Sequence, residues 1–128
     1  MSLKRDLEFL YEIGCLRNIE RTWKQFTGTR MANLSEHTLR VIWIAMIIAK
    51  HEGVTNIDKI IKMAMVHDLP ESRTGDAHYV ATQLIKRDEN KALTEILKDT
   101  SFEDLHSLWE EFEKRESIEA KIVKDADS

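Results

Sequence analysis

Two short stretches gather the side chains that could do chemistry. Ser35, Glu36 and His37 stand together, and His67 and Asp68 run directly into Leu69, Pro70, Glu71, Ser72, Arg73, Thr74, Gly75 and Asp76. Imidazole nitrogens and carboxylate oxygens suit a borderline or hard divalent ion such as Mn, Fe, Co, Ni, Zn or Mg. Adjacent residues on a regular helix point about 100° apart, so His67 and Asp68 can share one ion only if it sits at a helix end and is approached from a second element. His37 is the candidate from that element. The residues alone leave a plainer alternative open, because a histidine at a helix end beside a capping aspartate is common in purely structural roles.

The elements that must position these residues read as all-α. One proline and four glycines leave few breakers, and no alternating strand pattern of useful length is present. A first helix is expected from about Leu3 to Leu16, burying Leu7, Leu10, Tyr11 and the Gly14 to Cys15 end, and a polar stretch follows from Arg17 to Leu34. Ser35 is the expected N-cap of a core helix in which Val41, Ile42, Ala45, Ile48 and Ala49 recur before Gly53 stops it. Ile57, Ile60, Ile61, Ala64 and Met65 make a third helix, expected to end near His67 and Asp68 because Leu69 precedes Pro70. From Ala77 onward the pattern is helical, with breaks expected at Asp88 to Asn90 and at Thr100 to Ser101, where Ser101 caps a further helix, and a last helix from Ser117 to Asp127. The charge run Glu110 to Glu116 reads as a solvated face. Trp43, Trp109 and Cys15 read as core, and His51, His78 and His106 as surface or half-buried, with His78 near enough to Asp76 in the chain to approach a substrate.

The 128 residues amount to about one domain, and 42% apolar with 33% charged residues is the composition of a soluble globule. A formal charge of −4 supplies no field to attract nucleic acid or an anionic membrane. The longest apolar stretch, Val41 to Ala49, is too short to span a bilayer, and no targeting signal is visible. One cysteine permits no internal disulfide, which points to a reducing, cytoplasmic setting.

The order His, His-Asp, late Asp resembles the HD superfamily of metal-dependent phosphohydrolases, and within it the HD-domain 5′-deoxynucleotidases. Arg30, Asn33, Ser35, Glu36 and His37 stand as in that family's first ligand motif. HDxxExxxGD is complete from His67 to Asp76. Leu108 to Glu113 and Glu119 to Lys124, running on to Asp127, follow its C-terminal motif. The resemblance covers nearly the whole chain and implies a single HD-domain helical bundle over residues 1–128. It also implies one divalent metal ion on His37, His67, Asp68 and Asp127. Asp125 is the alternative fourth ligand, and a solvated helix end is the plainer reading of either aspartate. Relatives continue with at least one further helix, so a bundle short of its C-terminal helix or helices, with Asp127 on a fraying end, is expected.

Phosphomonoester hydrolysis needs a nucleophile at neutral pH, stabilisation of phosphoryl charge and a proton for the leaving oxygen. The resemblance implies that Glu71 and Asp76 serve the attacking water and the leaving group. Their plainer roles are a first-turn acid and an N-cap. It also assigns Arg21 to the phosphate and Trp23 to the sugar, where a flat ring excludes a 2′-hydroxyl by shape. Against this, Thr22 separates the two residues, a loop arginine is usually solvated and a tryptophan is usually packed. Arg30 is a third substrate-binding candidate, or an ion-pair partner of a site carboxylate. The expected activity is hydrolysis of 5′-deoxyribonucleoside monophosphates by a cytoplasmic homodimer, with a small nucleotide as substrate and neither polymer nor membrane as partner. The competitors are another HD phosphohydrolase, acting on a cyclic nucleotide or on guanosine tetraphosphate, and a module that binds metal and nucleotide without turnover. Against the cyclic-nucleotide reading, this chain offers no obvious motif with the additional ligand histidines that a two-metal phosphodiesterase needs.

Overall fold

The computed structural model describes residues 2–19, 33–74 and 82–128, with the backbone alone at 74 and over 82–88. The described elements are α1 (Leu3–Gly14), a 3₁₀ turn (Cys15–Asn18), α2 (Leu34–His51), α3 (Ile57–Val66), α4 (Glu71–Thr74), α5 (Thr82–Leu97), α6 (Leu105–Lys114) and α7 (Ile118–Asp127). No strand is among them, in keeping with the all-α expectation, and no described helix is long and apolar enough to cross a membrane. The chain divides into two compact units, one from Met1–Glu36 and Leu69–Glu103, the other from His37–Asp68 and Asp104–Ser128.

The second unit is built on a core of small and branched side chains. Val41, Ala45 and Ala49 of α2, Ile60, Met63 and Ala64 of α3, Phe112 of α6, and Ala120, Ile122, Val123 and Ala126 of α7 are all buried. The alanines let helix backbones approach, while Ile60, Met63 and Val123 fill the space between them. Helix ends are closed by local chemistry. The Asn33 side chain, rather than the expected Ser35, caps α2 by accepting the Glu36 N–H at 2.9 Å. At the other end of α2, Gly53 takes φ +73°, and the Val54 and Gly53 N–H groups return to the Ala49 and Lys50 carbonyls. That Schellman closure needs a residue tolerant of the left-handed region, which is why the helix stops where the glycine stands. Ser117 caps α7 by accepting the Ala120 N–H, and Asn56 caps α3 by accepting that of Lys59. Lys59 Nζ lies 2.8 Å from Glu111 Oε2, so α3 and α6 are joined by charge as well as by packing.

The first unit shows how tertiary chemistry overrides an apolar stripe. Leu7, Leu10, Tyr11 and Cys15, expected to be buried, are exposed, with Tyr11 at 81%. The inward face of α1 is instead Arg5, Phe9, Glu12 and, one turn on, Leu16. Arg5 donates to the Lys98 and Ile96 carbonyls at the end of α5, and Asp6 accepts from the Ser101 N–H and hydroxyl. Ser101 is therefore a partner of α1 and not a helix cap. Phe9 packs against Phe102 with ring centroids 5.6 Å apart. Glu12 takes a two-pronged ion pair from Arg73 and a hydroxyl from Ser72, both on α4. These contacts satisfy the α5 carbonyls and two charged groups together, an ordering that a hydrophobic period alone does not encode. Two further expectations fail. α5 runs unbroken through Asp88 to Asn90, since these residues are tolerated mid-helix. Trp43, expected in the core, is 60% exposed, because the buried stripe of α2 is set by Val41, Ala45 and Ala49; Trp109 is buried as expected.

Candidate metal centre

Four titratable side chains of the second unit meet at one point: His37, His67, Asp68 and Asp127 each offer one donor atom, and these atoms all lie within 4.8 Å of one another. His37 stands at the end of the first turn of α2, which Asn33 fixes. His67 is the C-cap of α3, and Asp68 follows in the turn that ends the helix ahead of Pro70, as the pre-proline restriction demands. Asp127 is the last residue of α7. It is helical and mostly buried rather than frayed, while Asp125, two residues earlier and on the opposite side of the helix, is exposed.

His37 Nε2 lies 2.6 Å from Asp127 Oδ1 and 3.5 Å from Asp68 Oδ2. His67 Nε2 lies 3.1 Å from Asp68 Oδ2 and 3.3 Å from Asp127 Oδ1. Donors about 2.1 Å from a shared ion stand roughly 3.0 to 3.4 Å apart when adjacent; the His67 separations of 3.1 and 3.3 Å fall in that range, whereas the 2.6 Å between His37 and Asp127 is the length of a direct hydrogen bond that a cation would open. The chemistry of the donor set agrees, since two imidazoles and two carboxylates form an oxygen and nitrogen site without sulfur. Two helices, α3 and α7, bring their C-terminal ends here, and the partial negative charge of those ends also favours a cation.

His67 is the most constrained member. Its side chain is fully buried, and its Nδ1–H donates to the Ala64 carbonyl one turn back, which commits Nε2 to the centre. Burial opposes its charged form, but Asp68 and Asp127 overcome this and push the imidazole pKa up to about 10. Burial likewise opposes ionisation of Asp127, yet His37 and His67 hold it well below the ordinary carboxylate range. The group is thus electrostatically short of positive charge, and a proton and a divalent cation compete for the same Nε2.

A model of the HD domain matches residues 13–128. The chain belongs to the HD-domain family. Among curated HD-domain relatives, the 5′-deoxynucleotidase HDDC2 of Homo sapiens is 34% identical over 94% of this chain and 62% of its own length. The protein of the same name from Dictyostelium discoideum is 37% identical over 94% of this chain and 70% of its own. The chain therefore spans somewhat under two thirds of the length of the human protein. A conserved hypothetical protein of Pyrococcus furiosus superposes with a TM-score of 0.82 at 27% identity, covering 94% of this chain and 74% of that one.

Glu71 is the first residue of α4, partly buried, three residues past Asp68 in the chain. Arg21, Trp23, Arg30, Asp76 and His78 lie outside the described residues. Two groups that matter at the centre escaped the sequence reading. The Ala64 carbonyl carries no signal in residue type. Phe112, whose ring centroid lies 5.4 Å from that of His67, was hidden in the charge run Glu110 to Glu116; its place one turn after Leu108 and Trp109 is the period that could have revealed it.

Proposed function

We propose that this chain, acting through one HD domain over residues 1–128, hydrolyses 5′-deoxyribonucleoside monophosphates to deoxynucleoside and phosphate with one divalent metal ion on His37, His67, Asp68 and Asp127. The convergence of these four donors carries the reading, and the activity in the names of the 30–37% identical relatives supports the choice of substrate. When bound, the ion would supply Lewis acidity and a nucleophile at neutral pH. His67, hydrogen-bonded through Nδ1–H to the Ala64 carbonyl, keeps its other nitrogen toward the centre, and Asp68 and Asp127 would neutralise the cation's charge. Glu71 and Asp76 act on the attacking water and deliver a proton to the leaving 5′-oxygen. Arg21 forks onto the phosphate with Arg30 in support, and Trp23 lies against the deoxyribose so that a 2′-hydroxyl does not fit. We place the reaction in the cytoplasm, which the single cysteine fits, and on a homodimer, which sedimentation velocity tests.

The deciding assay offers dAMP beside AMP to protein loaded with Mn²⁺ or Co²⁺, with a cyclic nucleotide and guanosine tetraphosphate alongside. Phosphate release from dAMP about tenfold or more above AMP is expected, the order of discrimination a shape-selective sugar site provides. No release from any 5′-nucleotide at high enzyme concentration overturns the proposal.

A further inference from the structure

A hydrogen bond from Nδ1 to one carbonyl leaves an imidazole able to pivot about that bond, so something else must fix the plane of His67 if its Nε2 is to meet a cation squarely. The ring packed against it is that of Phe112. It is 3% exposed and stands edge-on to His67, at an interplanar angle of 68°. Edge-to-face packing resists rotation of either ring, because tilting brings like-charged edges together. Phe112 is itself in contact with Arg115. Arg115 takes φ +58°, a left-handed conformation uncommon for a residue with a side chain. That turn carries the Arg115 side chain back along α6, where its backbone N–H and Nε both donate to the Phe112 carbonyl, at 3.2 and 3.0 Å. Its guanidinium carbon sits 4.7 Å from the Phe112 ring centroid, within cation–π range. His67, Phe112 and Arg115 thus form a chain of contacts within the second unit, running from the donor group outward.

We propose that Phe112, braced by Arg115, is a positioning residue that fixes the imidazole plane of His67 and thereby sets the affinity and geometry with which the four-donor group takes a divalent cation. This rests on the metal-binding reading of that group, and the test separates the two. Co²⁺ is titrated into the apoprotein by calorimetry, and the visible spectrum of the saturated protein is recorded for the unaltered chain, Phe112→Leu and Arg115→Ala. Failure of the unaltered chain to bind Co²⁺ overturns the metal reading and this inference with it. If it binds, Phe112→Leu is expected to weaken binding about tenfold, the usual effect of losing a group that orients a ligand, and to shift the Co²⁺ bands at saturation. Arg115→Ala should move both readouts the same way by a smaller amount. A spectral shift at full occupancy is something a merely destabilised fold does not produce. Equal affinity and an unchanged spectrum in Phe112→Leu overturn the proposal. If circular dichroism shows that Phe112→Leu does not fold, Arg115→Ala decides alone, and an unchanged spectrum and affinity there overturn it.

Discussion

His67 and Asp68 are chain neighbours that point apart on a regular helix, yet Asp68 Oδ2 and His67 Nε2 come within 3.1 Å because the helix has already ended at Val66. The chemistry of the pair therefore depends on Pro70 two residues on, and the dependence is readable from residue types alone. His37 was legible as a partner from another element, whereas the choice of Asp127 over Asp125 came from a motif resemblance and not from local chemistry. The Ala64 carbonyl was not legible at all, since a backbone acceptor has no residue signature. At this scale Asp127→Asn should weaken Mn²⁺ or Co²⁺ binding by at least about tenfold in calorimetry, because an amide in place of the carboxylate removes a charge and a donor oxygen. Glu12 gives a pH prediction. Burial would raise its pKa, but the hydrogen bonds and charge of Arg73, with the Ser72 hydroxyl, lower it below 4.5. A group with a depressed folded pKa stabilises the fold above its unfolded value and loses that contribution as pH falls. Acid unfolding should thus steepen below about pH 4.5, and Glu12→Gln should flatten the stability–pH curve in that window when followed by circular dichroism.

Among the helices, existence and type were clearer than facing. The stops at Gly53 and Pro70 were legible because each rests on one residue with a special backbone. The buried face of α1 was not. Its apolar stripe of Leu7, Leu10 and Tyr11 competes with a set of polar contacts made by Arg5, Asp6 and Glu12 to partners about 60 to 95 positions away in the chain, and such partners leave no local pattern. The unbroken course of α5 through Asp88 to Asn90 was missed for a related reason, since a cluster of poor helix formers costs only a few tenths of a kcal/mol per residue and packing elsewhere outweighs it. Ser117→Ala removes the cap of the helix that delivers Asp127, and should cost about 1 kcal/mol of stability in denaturant melts. Ile60→Ala, which leaves a cavity where the exposure is 0%, should cost roughly 2 to 5 kcal/mol.

For the whole molecule, every donor of the candidate centre falls in one compact unit, His37–Asp68 with Asp104–Ser128. A cation bound there joins α2, α3 and α7 at one point, so it should stabilise that unit as any ligand of the folded state does. The all-α class was legible in the scarcity of breakers, whereas the pairing of remote segments into this unit was visible only through the resemblance of the motifs. The most direct measurement is elemental analysis joined to calorimetric titration of Co²⁺ into the apoprotein and its His67→Ala variant. One ion per chain, lost when His67 is replaced although the fold persists, is the expected result. No ion in the unaltered protein, or equal binding without His67, would contradict the account.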